Sequence, residues 1–356
     1  MPVDHNSRLC VLGVLGGETP EMGSVKTIRV TAASTSARWG ELDANLANVI
    51  AAAARAAEDG ARLLLLPECC LTGGDWPTGA TSPRVEDVAL ELRAPVLAEV
   101  ARVAKRTGLV IAPGFYERRS GRITISHALI GPRGLIGVYR KVHEHARSSR
   151  EKDLFPVFDL GFARAGFSVC RDTMLPEHAR ILALRGAELM LAPFMSLPLT
   201  RRAWKLERLL PLRARAQDNR LFVLSASHAM PHVAGRPSEW GYSGLCCAVN
   251  PLGEVLGVST GPVGRPQRLT VTLDESLLRT YLLGDVPSMY ARRPRDYRDL
   301  ASDAVQRRYL ALAPPFAYRE DANRTVAPAR KSHRGTETQR KESSTKEHER
   351  TRTETD

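Results

Sequence analysis

Leu63-Leu64-Leu65-Leu66 is a continuous apolar run, with Gly60 shortly before it and Pro67 directly after it. A run that short, held between two breakers, has no polar face to offer to water. It fits a strand buried on both sides, as in the middle of a parallel sheet. Parallel neighbours need crossover connections, which helices commonly supply. The residues before the run provide one. Leu42, Leu46, Val49, Ile50, Ala53 and Ala57 form a stripe at helical spacing over 41–59, and Gly60 marks its stop.

The same alternation recurs along the chain. Residues 27–33 are short, β-rich and partly alternating, hence a strand. The spacing predicts a helix over 86–106 ending before Gly108, a strand over 109–112, and strands over 123–130 and 135–139 flanking Gly131-Pro132-Arg133-Gly134. Next come a strand over 165–169, a helix over 176–185 stopped by Gly186, a strand over 189–192, a helix over 202–219 and a strand over 221–226. A hairpin-like pair over 245–249 and 254–258 turns at Asn250-Pro251-Leu252-Gly253. Such a chain is of the α/β class. No linker-like stretch interrupts 26–273, which reads as one catalytic domain. Residues 1–25 read as a Gly-rich extension, with Met22 as an alternative start. Residues 274–319 read as an extension packing on the domain or on a dimer partner. Residues 320–356 carry almost no apolar side chains and read as a disordered charged tail.

Composition narrows the function classes. No run of about 18 apolar residues exists, so no membrane span is expected. The apolar stretch over 9–15 lacks a basic start and a small-residue cleavage site, and Glu18 and Glu21 follow it, so no secretory signal is read there. The net charge is +12. The arginines are dispersed and no basic stretch carries interleaved aromatics, so a nucleic-acid partner is not expected. The six cysteines include two adjacent pairs, Cys69-Cys70 and Cys246-Cys247, and no CxxC. That pattern is a poor disulfide framework and a poor zinc site; it fits free thiols in a reducing cytoplasm.

Three positions can carry chemistry. Glu68 follows the buried run and Pro67, which places a carboxylate at the rim of a sheet. Partial burial there raises a carboxyl pKa toward neutrality, as a general base requires. The ordinary alternative is a surface glutamate. Lys141, in Tyr139-Arg140-Lys141-Val142-His143, follows a strand and can stabilise an oxyanion or simply sit in a solvated basic turn. Cys170 lies between a predicted strand and a helix opened by Pro176 and Glu177. Such a turn exposes a nucleophile beside backbone N–H groups, but a thiol still needs a base or a cation to attack at neutral pH. Its ordinary alternative is packing.

Together these segments resemble a known family. Leu65-Leu66-Pro67-Glu68, Tyr139-Arg140-Lys141-Val142-His143 and Gly166-Phe167-Ser168-Val169-Cys170-Arg171-Asp172 are similar, in order and rough spacing, to the three signature segments of the nitrilase superfamily, the carbon–nitrogen hydrolases. Pro176-Glu177, Arg185-Gly186-Ala187-Glu188, Ala214-Arg215-Ala216 with Asn219, Gly241-Tyr242-Ser243, Asn250-Pro251-Leu252-Gly253 and Arg292-Arg293-Pro294 extend the likeness over roughly 26–300.

The resemblance implies a four-layer α-β-β-α sandwich, a homo-dimer or larger homo-oligomer, a Glu–Lys–Cys triad, and neither metal nor organic cofactor. It makes Cys170 the nucleophile and Glu68 the proton carrier. Lys141, with the backbone N–H of Arg171, becomes the oxyanion partner. It also implies a second glutamate between Lys141 and Cys170, for which Glu144 is the first candidate and Glu151 the second. The expected substrate is a small linear amide or N-carbamoyl compound. Nitrile hydrolysis, thioester-using N-acyl transfer and a non-catalytic family member are the alternatives. Some positions depart from the family pattern. Ser34 stands where Gln is frequent, Ser227 where Asn is common, and Arg171-Asp172 where true nitrilases have Trp-Glu. The last departure favours amide or carbamoyl chemistry. Arg171 either offers charge to a substrate carboxylate or pairs with Asp172 or Glu177. Cys69, Cys70, Cys246 and Cys247 are expected to pack, and His143 to shape its loop.

Overall fold

The computed structural model describes residues 27–74, 83–143, 153–195, 200–230, 241–279 and 292–301. Two sheets dominate it. The first is built from β1 (Thr27–Ala33), β2 (Leu63–Leu65), β3 (Val110–Ala112), β4 (Gly114–Arg119), β5 (Arg122–Gly131) and β6 (Gly134–Arg140). The second begins with β7 (Val157–Asp159), β8 (Arg164–Phe167), β9 (Leu189–Phe194) and β10 (Phe222–Ser227). A short ribbon, β11 (Ala229–Met230) with β12 (Tyr242–Ser243), precedes β13 (Cys247–Val249), β14 (Val255–Val258) and β15 (Arg268–Asp274). The first sheet runs β15-β1-β2-β3-β5-β4, with β6 also on β5, and the second β14-β13-β10-β9-β8-β7. β1, β2 and β3 are parallel, as are β8, β9 and β10.

The leucine run shows how the layers form. Side chains of successive strand residues point to opposite faces. Leu63 and Leu65 enter a core shared with Phe167, Leu189, Leu191 and Leu224, which lies between the two sheets. Leu64 and Leu66 face the other way, onto Val49, Ala53, Val100 and Val103. Those four residues come from helices α1 (Leu42–Glu58) and, after the single turn α2 (Val85–Val88), α3 (Pro95–Thr107). The second sheet repeats the device. Leu189 and Leu191 face inward, whereas Met190 and Ala192 pack with residues of α4 (Pro176–Leu184) and of the helical stretch ending at Asn219. The result is the four-layer α-β-β-α sandwich.

The expected helix over 86–106 is two pieces, α2 and α3, with Leu90 bridging to Glu117 between them. Pro95 is the reason. Its ring and missing N–H forbid a helix interior but suit the first helical position, and it holds Ala94 extended at φ −57°, ψ 142°. The helix expected over 202–219 runs as α5 (Arg201–Trp204), a π-helical stretch Lys205–Leu209 and α6 (Leu210–Asn219).

This compact unit extends to Arg292, and Leu277 and Leu278 pack on the central core. A second unit begins at Arg293, where the short 3-10 turns Pro294–Asp296 and Arg298–Ala301 are described. The extension over 1–25 and the tail over 320–356 lie outside the described residues. Among those residues no helix is long and apolar enough to cross a membrane.

Candidate active site

Glu68 sits on the turn that leaves β2 and is 1% exposed. The next residue, Cys69, has φ +55°, in the left-handed region that non-glycine residues rarely adopt. Gly114 permits this turn, since a Cβ there would come within 2.6 Å of the Cys69 backbone nitrogen. Lys141 follows β6, is 4% exposed, and donates from Nζ to Glu68 Oε1 at 2.7 Å. The other oxygen, Oε2, accepts the Met195 N–H at 2.9 Å. The Glu68 carbonyl accepts from His228 Nε2, and His228 Nδ1 faces the Thr35 carbonyl at 3.3 Å. A histidine at the end of the second sheet thus braces two turns of the first.

Cys170 comes from the second sheet. β8 ends at Phe167, and Cys170 opens the 3-10 turn Cys170–Met174 with φ +49°. The turn is clamped by Asp172, which is fully buried. Asp172 Oδ2 accepts from the Val169 N–H at 3.0 Å and from the Tyr139 hydroxyl at 2.6 Å. Oδ1 accepts from the His143 N–H at 3.0 Å and lies 2.7 Å from His143 Nδ1. One carboxylate therefore ties the Cys170 turn to the segment that carries Lys141. Thr173 completes the turn by donating to the Cys170 carbonyl at 2.7 Å.

The electrostatics of the three groups are coupled. Burial pushes the Cys170 thiol up to about 11, and the Glu68 carboxylate adds to this, while Lys141, Arg208 and the Met195 N–H work in the opposite sense. At neutral pH the Cys170 side chain is therefore a protonated thiol. Burial opposes the charge on Lys141, but the charge of Glu68 and its hydrogen bond outweigh it and hold the ammonium well above its usual pKa. Beside them, burial and the Lys141 charge push His127 down to about 3, so this ring stays neutral. The arrangement can take a proton from sulfur, hold a fixed positive charge beside it, and return a proton to a leaving group.

Glu68, Lys141 and Cys170, singled out in the sequence, are thus brought into one electrostatic site from two sheets. Arg171 is half-buried on the same turn as Cys170. Glu144 and Glu151 lie outside the described residues. Cys69, Cys70, Cys246 and Cys247 are fully buried in apolar clusters. His228, Met195 and the clamping role of Asp172 were not visible in the pattern. A fully buried aspartate two residues after Cys170 needs donors, but nothing local names Tyr139 and His143 as those donors.

Comparison with known proteins agrees with this architecture. The chain is 29% identical over 248 residues to a nitrilase from Pyrococcus abyssi, covering 68% of this chain and 88% of that protein. It is 31% identical over 216 residues to omega-amidase NIT2 from Homo sapiens, covering 56% and 73%. Among solved structures, an amidase from Nesterenkonia sp. superposes with a TM-score of 0.60 at 25% identity, covering 78% of this chain and 99% of that one. The carbon-nitrogen hydrolase family matches residues 29–281, from the first strand of the first sheet to beyond its last. The chain therefore belongs to the carbon–nitrogen hydrolase family and is an enzyme of that kind.

Proposed function

We propose that this enzyme hydrolyses the carbon–nitrogen bond of a small linear amide or N-carbamoyl compound through a thioester on Cys170. The observation that carries the reading is the buried contact of Lys141 Nζ with Glu68 Oε1 at 2.7 Å, with both charges acting on the Cys170 sulfur. The sulfur attacks the carbonyl carbon as Glu68 takes the thiol proton. The carbonyl oxygen becomes an oxyanion, which Lys141 and the backbone N–H of Arg171 stabilise. Collapse of this tetrahedral species breaks the carbon–nitrogen bond, and Glu68 passes its proton to the departing amine or ammonia. Glu68 then deprotonates a water that attacks the thioester. The second tetrahedral species expels the thiolate, which recovers a proton through Glu68.

A protonated resting thiol supports this order of events, because it demands a base during the attack itself. Arg171, half-buried next to the nucleophile, is the group offered to a substrate carboxylate in this reading, and Glu144 the second glutamate. The amide substrate class also draws support from the Nesterenkonia amidase, variants of which form complexes with acrylamide and butyramide.

The test is ammonia release from a panel of linear amides, ureido acids and nitriles, read beside mass spectrometry of the protein after fluoroacetamide treatment. The expected result is turnover of at least one amide or ureido acid, with a covalent adduct on Cys170. Cys170→Ala should show neither. Wild type as inert as Cys170→Ala across the panel, with no adduct, overturns the proposal. Turnover confined to nitriles would assign nitrilase chemistry instead.

A further inference from the structure

His143, Asp172 and His178 form a cluster that the hydrolytic steps do not use. One ligand atom from each, His143 Nδ1, Asp172 Oδ1 and His178 Nδ1, lies within 4.8 Å of the other two. His178, on α4, is fully buried. Its Nε2 lies 2.8 Å from the Phe167 carbonyl oxygen. A carbonyl only accepts, so Nε2 carries the proton of the neutral ring and Nδ1 carries a lone pair. That Nδ1 has no hydrogen-bond partner. It faces Asp172 Oδ1 at 3.9 Å. A buried lone pair turned toward a carboxylate is electrostatically unfavourable unless a proton or a cation lies between them.

The spacing points the same way. Metal–ligand bonds of about 2.0–2.1 Å in tetrahedral geometry put ligand atoms roughly 3.3 Å apart. The two gaps to Asp172 Oδ1 are 2.7 Å from His143 Nδ1 and 3.9 Å from His178 Nδ1, one shorter and one longer than that distance. Opening the first, closing the second and bringing the two histidine nitrogens, which lie within 4.8 Å of each other, to the same separation yields a three-ligand site. The His143 side chain is 32% exposed and provides the route of entry. Two imidazoles and one carboxylate are a donor set for zinc and its neighbours, not for calcium or magnesium, which prefer all-oxygen sites.

We propose that His143, Asp172 and His178 form a binding site for a divalent transition metal of the zinc class, set behind the nucleophile's turn and separate from the hydrolytic chemistry. On binding, the neutral His143 ring carries its proton on Nε2, and its Nδ1 exchanges a hydrogen bond to Asp172 for the metal. Asp172 still holds the Val169 N–H and the Tyr139 hydroxyl through Oδ2. An ion on Oδ1 therefore acts directly on the clamp that shapes the Cys170 turn, and occupancy becomes a brake on turnover.

Inhibition by zinc alone would not identify the site, because a catalytic thiolate also binds zinc. The test therefore uses the untagged full chain with Cys170→Ala, titrated with Zn²⁺ by calorimetry and with Co²⁺ by visible absorption. The expected result is one equivalent bound, with cobalt ligand-field bands and no sulfur-to-cobalt charge-transfer band. Adding His143→Ala or His178→Phe should weaken binding by at least about tenfold. His143→Ala alters a partly exposed ring, so it carries the test alone if the buried His178→Phe variant does not fold. No binding by Cys170→Ala, or binding unchanged by His143→Ala, overturns the proposal.

Discussion

Arg140 and Lys141 are adjacent at the end of β6, and each forms an ion pair with a buried glutamate. Arg140 meets Glu117, which accepts from its Nε and Nη2 and from Ser126 Oγ, each at 2.7 Å. Lys141 meets Glu68, which accepts from Nζ on one oxygen and from the Met195 N–H on the other. A carboxylate has about four acceptor sites. Glu117 fills three of them, two with a planar fork that is always charged. Glu68 fills two, one with a single ammonium that can pivot. The first pair locks a strand end. The second, equally buried, leaves lone pairs free, as the proton transfers of the proposed mechanism require. Exposure does not separate them, since the Glu117 and Glu68 side chains are 1% and 2% exposed. What separates them is the unused hydrogen-bonding capacity of the carboxylate.

The sharpest way to break this contrast is to neutralise each glutamate without changing its shape. Glu68→Gln is expected to lower kcat by about 10²–10⁴, with a melting transition close to wild type. Glu117→Gln should do the reverse, lowering the melting temperature while the folded fraction keeps its kcat. Steady-state kinetics and thermal melts on both variants decide it. Equal kcat losses would erase the distinction.

The second prediction removes a cation. Arg140→Met leaves Glu117 buried without its partner and is expected to cost about 3–5 kcal/mol of stability, measured by urea unfolding. Removing both partners, as Arg140→Met with Glu117→Gln, should recover part of that loss. A destabilisation under about 1 kcal/mol for the single variant would mean that water or a neighbour already supports Glu117.

These pairs also show where sequence reading stops. The apolar runs, the helical stripe before Gly60 and the turn residues predict most elements, because local periodicity reports directly on burial. Pro95 was a legible signal that the helix over 86–106 must break. Leu269, Val271 and Leu273 alternate with polar residues, a strand signal at β15 that goes unused among the predicted elements. The partner of β15 was not legible: Thr31 and Thr270, hydrogen-bonded at 2.8 Å, are 239 positions apart. The triad residues had weak local signals and gained strength only as a set resembling a family. Glu117 gave no signal at all in Phe115-Tyr116-Glu117-Arg118-Arg119, where it reads as one charge among several. A pairing between separate strands is a property of the assembled sheet, and no short window of sequence contains it.

A third, smaller effect concerns Asp172, the clamp between the two halves of the site. Burial works against its charge, but the His143 hydrogen bond, the Tyr139 hydroxyl and the Lys141 charge outweigh it and hold the carboxyl below its usual range. A depressed folded-state pKa means stability that is present above the unfolded value of about 3.9 and lost as pH falls through the folded one. Asp172→Asn should therefore destabilise by about 1–3 kcal/mol at pH 7, with the difference from wild type shrinking below about pH 4. Urea melts at both pH values test this. A difference that grows in acid would show that the carboxylate is not the stabilising form.

The smallest effect separates the two glutamates most cleanly, because it makes turnover and reactivity move in opposite directions. Burial pushes Cys170 up to about 11, with Glu68 raising it further and Lys141 lowering it. Replacing Glu68 with the neutral Gln removes one upward push, so the thiolate fraction at pH 7 rises. Glu68→Gln should then be alkylated by iodoacetamide roughly tenfold faster than wild type, the change expected when a thiol pKa falls by about one. The same variant is expected to turn over substrate far more slowly, because it lacks the base of the proposed mechanism. Lys141→Met should be alkylated more slowly, and Glu117→Gln at the wild-type rate, since Glu117 does not act on the sulfur. If Glu68 instead held a resting thiolate through a shared proton, Glu68→Gln would slow alkylation as well as turnover. The sign of that one rate change therefore distinguishes a base that works during the attack from one that prepares the nucleophile in advance.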